Sequence, residues 1–228
     1  MTKEEKVQHW VKMSERDIDA AEWNLEGKYN LIVGYLCHQA VEKIFKANFV
    51  KINDETPPFI HNLFRLAELT ELFEKMSNEQ KDFLIELNPL YIKTRYDEYK
   101  NIIEKKNDRR SNPKNPFAIK GDHRMDKRDD VIRVAKKYAD FVKASNLPMK
   151  IESAYLFGSY AKGTPHKDSD IDIAFIVSNW TGDYDNTIKP VWGMTIQFDT
   201  RIEPHIIDPE HDYSYFEQEI QRTGIELC

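Results

Sequence analysis

Cysteine is scarce. Cys37 and Cys228 are the two in 228 residues, one inside a helical pattern and one at the last position, which gives neither a disulfide framework nor metal-ligand spacing. Both are expected to be reduced thiols. Long apolar runs are missing as well: no uninterrupted segment approaches the roughly 20 residues that span a bilayer. Met1 to Trp10 is charged where a signal peptide would be apolar, so the expectation is a cytoplasmic protein with no membrane partner. A surplus of positive charge is also absent. Lys and Arg number 33 against 39 Asp and Glu, a net charge of −6, which argues against a general nucleic-acid binder and suits a cationic small substrate. What is present is 40% hydrophobic and 12% aromatic residues, ample for one large or two small cores.

The first half reads as helices. Val7, Trp10, Val11, Ile18, Ala21, Trp23 and Leu25 form one stripe, broken at Gly27 and Asn30. Leu31 to Val50 forms a second, with an apolar surface wide enough for several neighbours. His38 in this helix is expected to be structural, hydrogen-bonded at the edge of a bundle, with ligand contact as the alternative. After Thr56-Pro57-Pro58, helical spacing returns from Phe59 to Met76. Ser77-Asn78-Glu79-Gln80 reads as a capped start to a fourth helix carrying Phe83, Leu84, Leu87, Leu90 and Tyr91, which Pro89 should kink or divide. Periodicity is lost between Lys105 and Arg128, a basic stretch punctuated by Pro113, Pro116 and Gly121. It reads as a linker, solvated or reaching over a phosphate site. Asp129 or Asp130 can cap the helix that follows, with Val131, Ala135, Tyr138 and Val142 on its face.

Residues 154–177 carry the chemistry. An apolar run from Ala154 to Phe157 stops at Gly158-Ser159, and after ten intervening residues Asp170 and Asp172 alternate with Ile171 and Ile173, a strand, a turn and a second strand. Two residues apart on a strand, the acids would share a face about 6.6 Å apart. Carboxylates converging to about 5 Å repel by roughly 3 kcal/mol at an effective dielectric of about 20, so a proton, a cationic side chain or a metal must stand between them. Mg²⁺ suits such a pair, since it is usually held by one or two carboxylates plus substrate phosphates. Gly158-Ser159 suits the phosphates, because glycine admits close backbone approach and turn N–H groups make an anion-binding concavity. The bland alternative is a hairpin with a solvated acidic face.

The wording LFGSYAKGT…SDIDIA, with Gly158-Ser159 and Asp170-Ile171-Asp172, resembles the DNA polymerase β-like nucleotidyltransferase superfamily. It looks like that superfamily's minimal nucleotidyltransferase branch, which includes aminoglycoside nucleotidyltransferases. The resemblance covers roughly Asp130 to Cys228. The helical half resembles a HEPN domain through Cys37-His38-Gln39-Ala40-Val41-Glu42-Lys43, His61-Asn62-Leu63 and Thr94-Arg95-Tyr96. Together these imply an α + α/β chain. An N-terminal antiparallel helical bundle would occupy residues 1–128, including a basic linker at about 105–128, and a small mixed-sheet nucleotidyltransferase domain would occupy 129–228. HEPN ribonucleases carry an arginine followed four to six residues later by histidine. Tyr96 to Ile102 contains no histidine, so ribonuclease activity is not expected.

The superfamily places a third carboxylate on a further strand, and Thr195 to Ile207 is expected to supply it. Glu203 in Ile202-Glu203-Pro204 fits best, Asp199 is the alternative, and Pro204 puts the segment at a sheet edge or strand end. His205 reads as a neighbour of the site. A short helix over Tyr213 to Arg222 and a last strand at Ile225-Glu226-Leu227 complete the chain. The resemblance implies transfer of a nucleoside monophosphate from a nucleoside triphosphate, ATP first among them, to a hydroxyl of a small molecule or a protein. Asp170, Asp172 and Glu203 would be catalytic and hold Mg²⁺ or Mn²⁺. Gly158 and Ser159, with Lys162 and Ser169 beside them, would form the nucleotide site. A fused toxin-antitoxin-type protein, a protein AMPylator and a nucleotide-binding module without turnover are the other readings, and a homodimer is expected by analogy.

Overall fold

A computed structural model of the chain describes residues 1–93, 128–210, 212 and 216–228. Thr94-Arg95-Tyr96 and the basic stretch from Lys105 to Lys127 lie outside the described residues. The chain divides into two units, Met1–Pro113 and Lys114–Cys228.

In the first unit, α1 (Lys3–Glu26) and α2 (Asn30–Asn53) form a long antiparallel hairpin. Thr2 caps α1 in a reciprocal capping box with Glu5, satisfying two backbone donors the helix end would otherwise orphan. The hairpin is pinned by Ser14 Oγ donating to the Ala40 carbonyl at 2.9 Å and by an ion pair between Asp17 and Lys43. Helical spacing from Phe59 to Met76 resolves into α3 (Leu63–Leu69) and a single 3₁₀ turn at Phe73–Lys75. Asn62 caps α3, accepting from the N–H groups of Phe64 and Arg65. Its amide oxygen also accepts from the Asn88 side chain at 3.1 Å, while Asn88 Oδ1 accepts from Leu63 N–H at 2.8 Å. Ser77 and Gln80 make a second capping box at α4 (Asn78–Leu87), and the interruption at Pro89 separates it from α5 (Leu90–Lys93). Phe45, Val50, Leu63, Phe64, Leu66, Phe73 and Leu84 form the apolar interior.

His38 is not at a bundle edge. It is fully buried, lies against the Tyr91 ring at a centroid distance of 4.9 Å, and neither ring nitrogen meets hydrogen-bond geometry with a described residue. Its neighbour Glu42 is buried too, and takes Lys46 Nζ at 2.8 Å and His61 Nδ1 at 3.0 Å. Burial pushes His38 down to about 4, with the Glu42 charge opposing only in part. Burial alone would raise Glu42, but the His61 hydrogen bond and Lys46 outweigh it and hold the carboxyl at about 2.

The second unit is a mixed sheet with helices. Strands β1 (Lys150–Leu156), β2 (Ile171–Ser178), β3 (Ile202–Ile207) and β4 (Ile225–Glu226) lie in the order β3-β2-β1-β4. β1 pairs antiparallel with β2 and β4, while β2 pairs parallel with β3. The central strand β2 is buried continuously from Ile173 to Val177, as expected of a strand covered on both faces. One face carries α6 (Arg128–Ala144), whose fully buried Tyr138 meets Phe175 and donates its hydroxyl to the Val191 carbonyl at 2.8 Å. On the other, Ala174, Ile176 and Ile207 pack with Ile220 of α9 (Phe216–Thr223) and with Tyr155, Phe157 and Phe216. The expected strand over Thr195 to Ile207 is shorter than its alternation implied. α8 (Lys189–Thr195) and a turn occupy its first part, because Thr195 accepts backbone hydrogen bonds from Phe198 and Asp199 and closes the chain locally. Among the described residues, no helix is long and apolar enough to cross a membrane.

The buried histidine makes stability depend on acid. An exposed imidazole titrates near 6.5 and the folded one near 4, so neutral His38 favours the fold above pH 6.5. That advantage, roughly 3 kcal/mol, is lost as pH falls toward 4. Glu42 adds a loss of the same sign from about pH 4.5 downward. Urea unfolding of His38→Leu at pH 7, 5 and 4 is expected to show a shallower decline than the unsubstituted chain, and equal slopes would contradict the assignment.

Candidate active site

The site forms where the end of β1 meets the starts of β2 and β3. Phe157 N–H donates to the Asp172 carbonyl at 3.0 Å, which seats the turn after β1 directly against β2. Gly158 follows with φ +68° and opens α7 (Gly158–Lys162). A Cβ at Gly158 would stand 2.1 Å from Asp172 Oδ2, so both backbone and space require glycine there. The far end of α7 is held by Arg128, whose guanidinium donates to the carbonyls of Tyr160 at 3.1 Å and Ala161 at 2.8 Å. Ser159 is half-buried in the first turn, and its carbonyl accepts from Thr164 N–H at 3.0 Å. Lys162 is exposed at the helix end. Ser169 is buried, its Oγ accepting from His166 N–H at 2.9 Å, and so closes the loop leading into β2.

Parallel pairing sets Asp172 opposite Glu203 and Ala174 opposite His205. Residues opposite one another in a parallel pair share a face, as do residues two apart, so Asp172, Glu203 and His205 converge. One ligand atom from each of the three lies within 4.8 Å of the others, and His205 Nε2 stands 3.8 Å from Asp172 Oδ1. Glu203 is buried, while Asp172 retains 24% side-chain exposure, so the group opens to solvent on the Asp172 side. Phe157 meets the His205 ring edge-on at 5.0 Å and Phe216 at 5.6 Å, forming an apolar wall. Two carboxylates at about this separation repel by roughly 3 kcal/mol, which a bound cation would convert into attraction.

Asp170 immediately precedes β2 and is half-buried, but it does not belong to the group within 4.8 Å. Asp199, the alternative third acid, lies in the turn before β3. Its carboxylate takes Arg201 Nε at 3.0 Å and a second guanidinium nitrogen at 2.6 Å, together with the Arg201 N–H at 2.9 Å. His205 is the member that sequence reasoning left outside the set. Its signal was available, since Glu203 and His205 are two apart on one strand; the parallel register was not.

A glycine-serine turn thus lies against carboxylates of two adjacent strands, the arrangement that the resemblance to nucleotidyltransferases implies. A family model of the HEPN domain matches residues 7–144, and one of the polymerase beta nucleotidyltransferase domain matches 136–228. The chain belongs to the HEPN family and continues into a polymerase beta-type nucleotidyltransferase domain, the two matches overlapping on α6. Over 34 residues it is 53% identical to the protein adenylyltransferase MntA of Shewanella oneidensis, a stretch covering 15% of this chain and 24% of that protein. The match thus spans about a quarter of the length of that curated relative. No solved structure matches.

Gly158→Ala tests the close approach directly. A left-handed alanine costs about 1–2 kcal/mol, and its methyl group would displace the Asp172 carboxylate. The melting temperature is expected to fall by about 5 °C or more, and divalent-cation binding measured by calorimetry to weaken at the same time. Unchanged cation binding would show that Asp172 does not depend on this glycine.

Proposed function

We propose that the chain transfers a nucleoside monophosphate from a nucleoside triphosphate, ATP in the first instance, to a hydroxyl acceptor. The observation that carries this reading is the register setting Asp172 opposite Glu203 beside Gly158. The donor set fits a divalent cation: two carboxylates and a buried imidazole nitrogen come within 4.8 Å, beside a position where any Cβ would intrude. Asp172 and Glu203, joined by Asp170, would hold Mg²⁺ or Mn²⁺, which supplies charge neutralisation at the phosphates and the attacking oxygen.

The protein's own share is positioning, since phosphoryl-type transfer leaves little covalent work to side chains. Backbone N–H groups at Gly158 and Ser159 receive the triphosphate, with Lys162 as a further cation on the same short helix. Ser169 fixes the loop that carries the acids. The acceptor oxygen attacks the α-phosphorus, the bond to pyrophosphate breaks, and Glu203 takes the acceptor proton. The two parts divide near residue 128, with the helical bundle contributing to acceptor binding. Similarity to a relative named as a protein adenylyltransferase favours a protein hydroxyl over an antibiotic hydroxyl as acceptor.

Incubation with ATP labelled at the α- or the γ-phosphate, divalent cation, and a panel of proteins, aminoglycosides and RNA tests this. Label is expected from the α position alone, on protein. Asp172→Asn and Glu203→Gln should each reduce transfer by on the order of 10²-fold or more, whereas Asp199→Asn should leave it within about tenfold and cost roughly 1 kcal/mol of stability. Label from the γ position, or none, would overturn the reading.

A further inference from the structure

We propose that His205 is a nitrogen ligand of the divalent cation at this site, making it a mixed Asp172, Glu203, His205 centre that prefers a first-row transition ion to Mg²⁺. The inference rests on the reading that Asp172 and Glu203 bind a cation, and it adds the element-selecting ligand.

The geometry narrows what His205 can be doing. Its Nε2 is buried and has no hydrogen-bond partner among the described residues. At 3.8 Å from Asp172 Oδ1 it is beyond hydrogen-bond distance, so the protein leaves a desolvated nitrogen beside Asp172, on a residue grouped with Asp172 and Glu203 within 4.8 Å. A buried polar atom without a partner costs about 1–3 kcal/mol, which a shared cation would recover. Two ligands each about 2.1 Å from one ion stand about 3.0 Å apart when adjacent and about 4.2 Å apart when opposite. The 3.8 Å separation and the 4.8 Å limit of the group need only a small closure to meet that range. Phe157, edge-on at 5.0 Å, restricts the ring, and strand pairing fixes its backbone opposite Ala174. The nitrogen is therefore pre-positioned.

Donor chemistry then sets selectivity. Mg²⁺ favours oxygen donors and gives up water reluctantly, while imidazole is a ligand for first-row transition ions such as Zn²⁺, Fe²⁺ and Ni²⁺; Mn²⁺, the most oxygen-loving of that row, is the most demanding member on which to test for a nitrogen ligand. A site of three oxygen donors would not discriminate in this way.

Manganese is the probe. Titration of the full chain with Mn²⁺ and with Mg²⁺ in separate calorimetric runs is expected to show Mn²⁺ tighter by at least about tenfold. His205→Gln and His205→Leu should weaken Mn²⁺ by at least about tenfold and Mg²⁺ by less than about threefold. Electron spin-echo modulation of bound Mn²⁺ in the unsubstituted protein should contain a directly coordinated ¹⁴N, replaced by ¹⁵N when histidine is isotopically labelled, and this readout needs no variant to fold. Mn²⁺ that binds, weakens on Asp172→Asn and shows no nitrogen modulation would overturn the proposal while leaving the carboxylate site intact. Absence of any Mn²⁺ binding sensitive to Asp172→Asn would overturn both.

Discussion

The parallel pairing of β2 with β3 is the constraint on which the second unit depends. It sets Asp172 opposite Glu203, two acids that would move apart if the chain let them. Their repulsion, roughly 3 kcal/mol, must be offset by whatever holds the strands together. Ile171 and Ile173 flank Asp172 and Ile202 precedes Glu203, all fully buried. Burying each contributes about 1.5–3 kcal/mol, so a single pair matches the repulsion and the rest of β2 exceeds it. Isoleucines on the opposite face hold the acids in place.

The helical unit solves a different problem with the same kind of chemistry. Glu42, Lys46 and His38 are all buried, and desolvating charges is costly unless they are paired. Glu42 meets Lys46 on its own helix and His61 from the following connection, so the carboxylate is satisfied locally and across the fold at once. Tyr91 covers the group, its ring within 5.6 Å of His61 and 4.9 Å of His38. A hydrophobic substitute for the whole cluster could be equally stable, but it would lose the directionality that fixes how the connection before α3 lies on α2.

Much of this was legible in the sequence where the determinant is local. Capping residues Ser77 and Gln80, the break at Pro89, and the glycine-serine turn each act within a few positions, and each stands where its chemistry put it. The family resemblance covered both halves, as the two family models show. What alternation could not convey was context. Ile196, Phe198 and Thr200 alternate as a strand would, yet Thr195 and Asp199 bend the chain into a turn and Arg201 draws off the Asp199 carboxylate. His38 reads from its position as a hydrogen-bonded bundle-edge residue, but it is buried against Tyr91, more than fifty residues away. His205 joined the acids through strand register, which periodicity within one strand does not specify.

Pro204 shows how the register itself is protected. Among the described residues β3 lies at the edge of the sheet, where a backbone N–H facing away from β2 has no ladder partner. Successive residues of a strand point their backbone groups to opposite sides. The Arg201 carbonyl accepts from Ile171 N–H of β2, whereas Ile202 N–H turns the other way to the Asp199 carbonyl. By that alternation Glu203 and His205 direct their backbones toward β2, and the buried Pro204 falls on the side away from β2, where its missing N–H leaves no donor to satisfy. The residues anchored into the ladder are thus the two whose side chains enter the site. A proline one position earlier or later would face β2, delete a ladder hydrogen bond, and loosen the strand where the carboxylate and imidazole must be held.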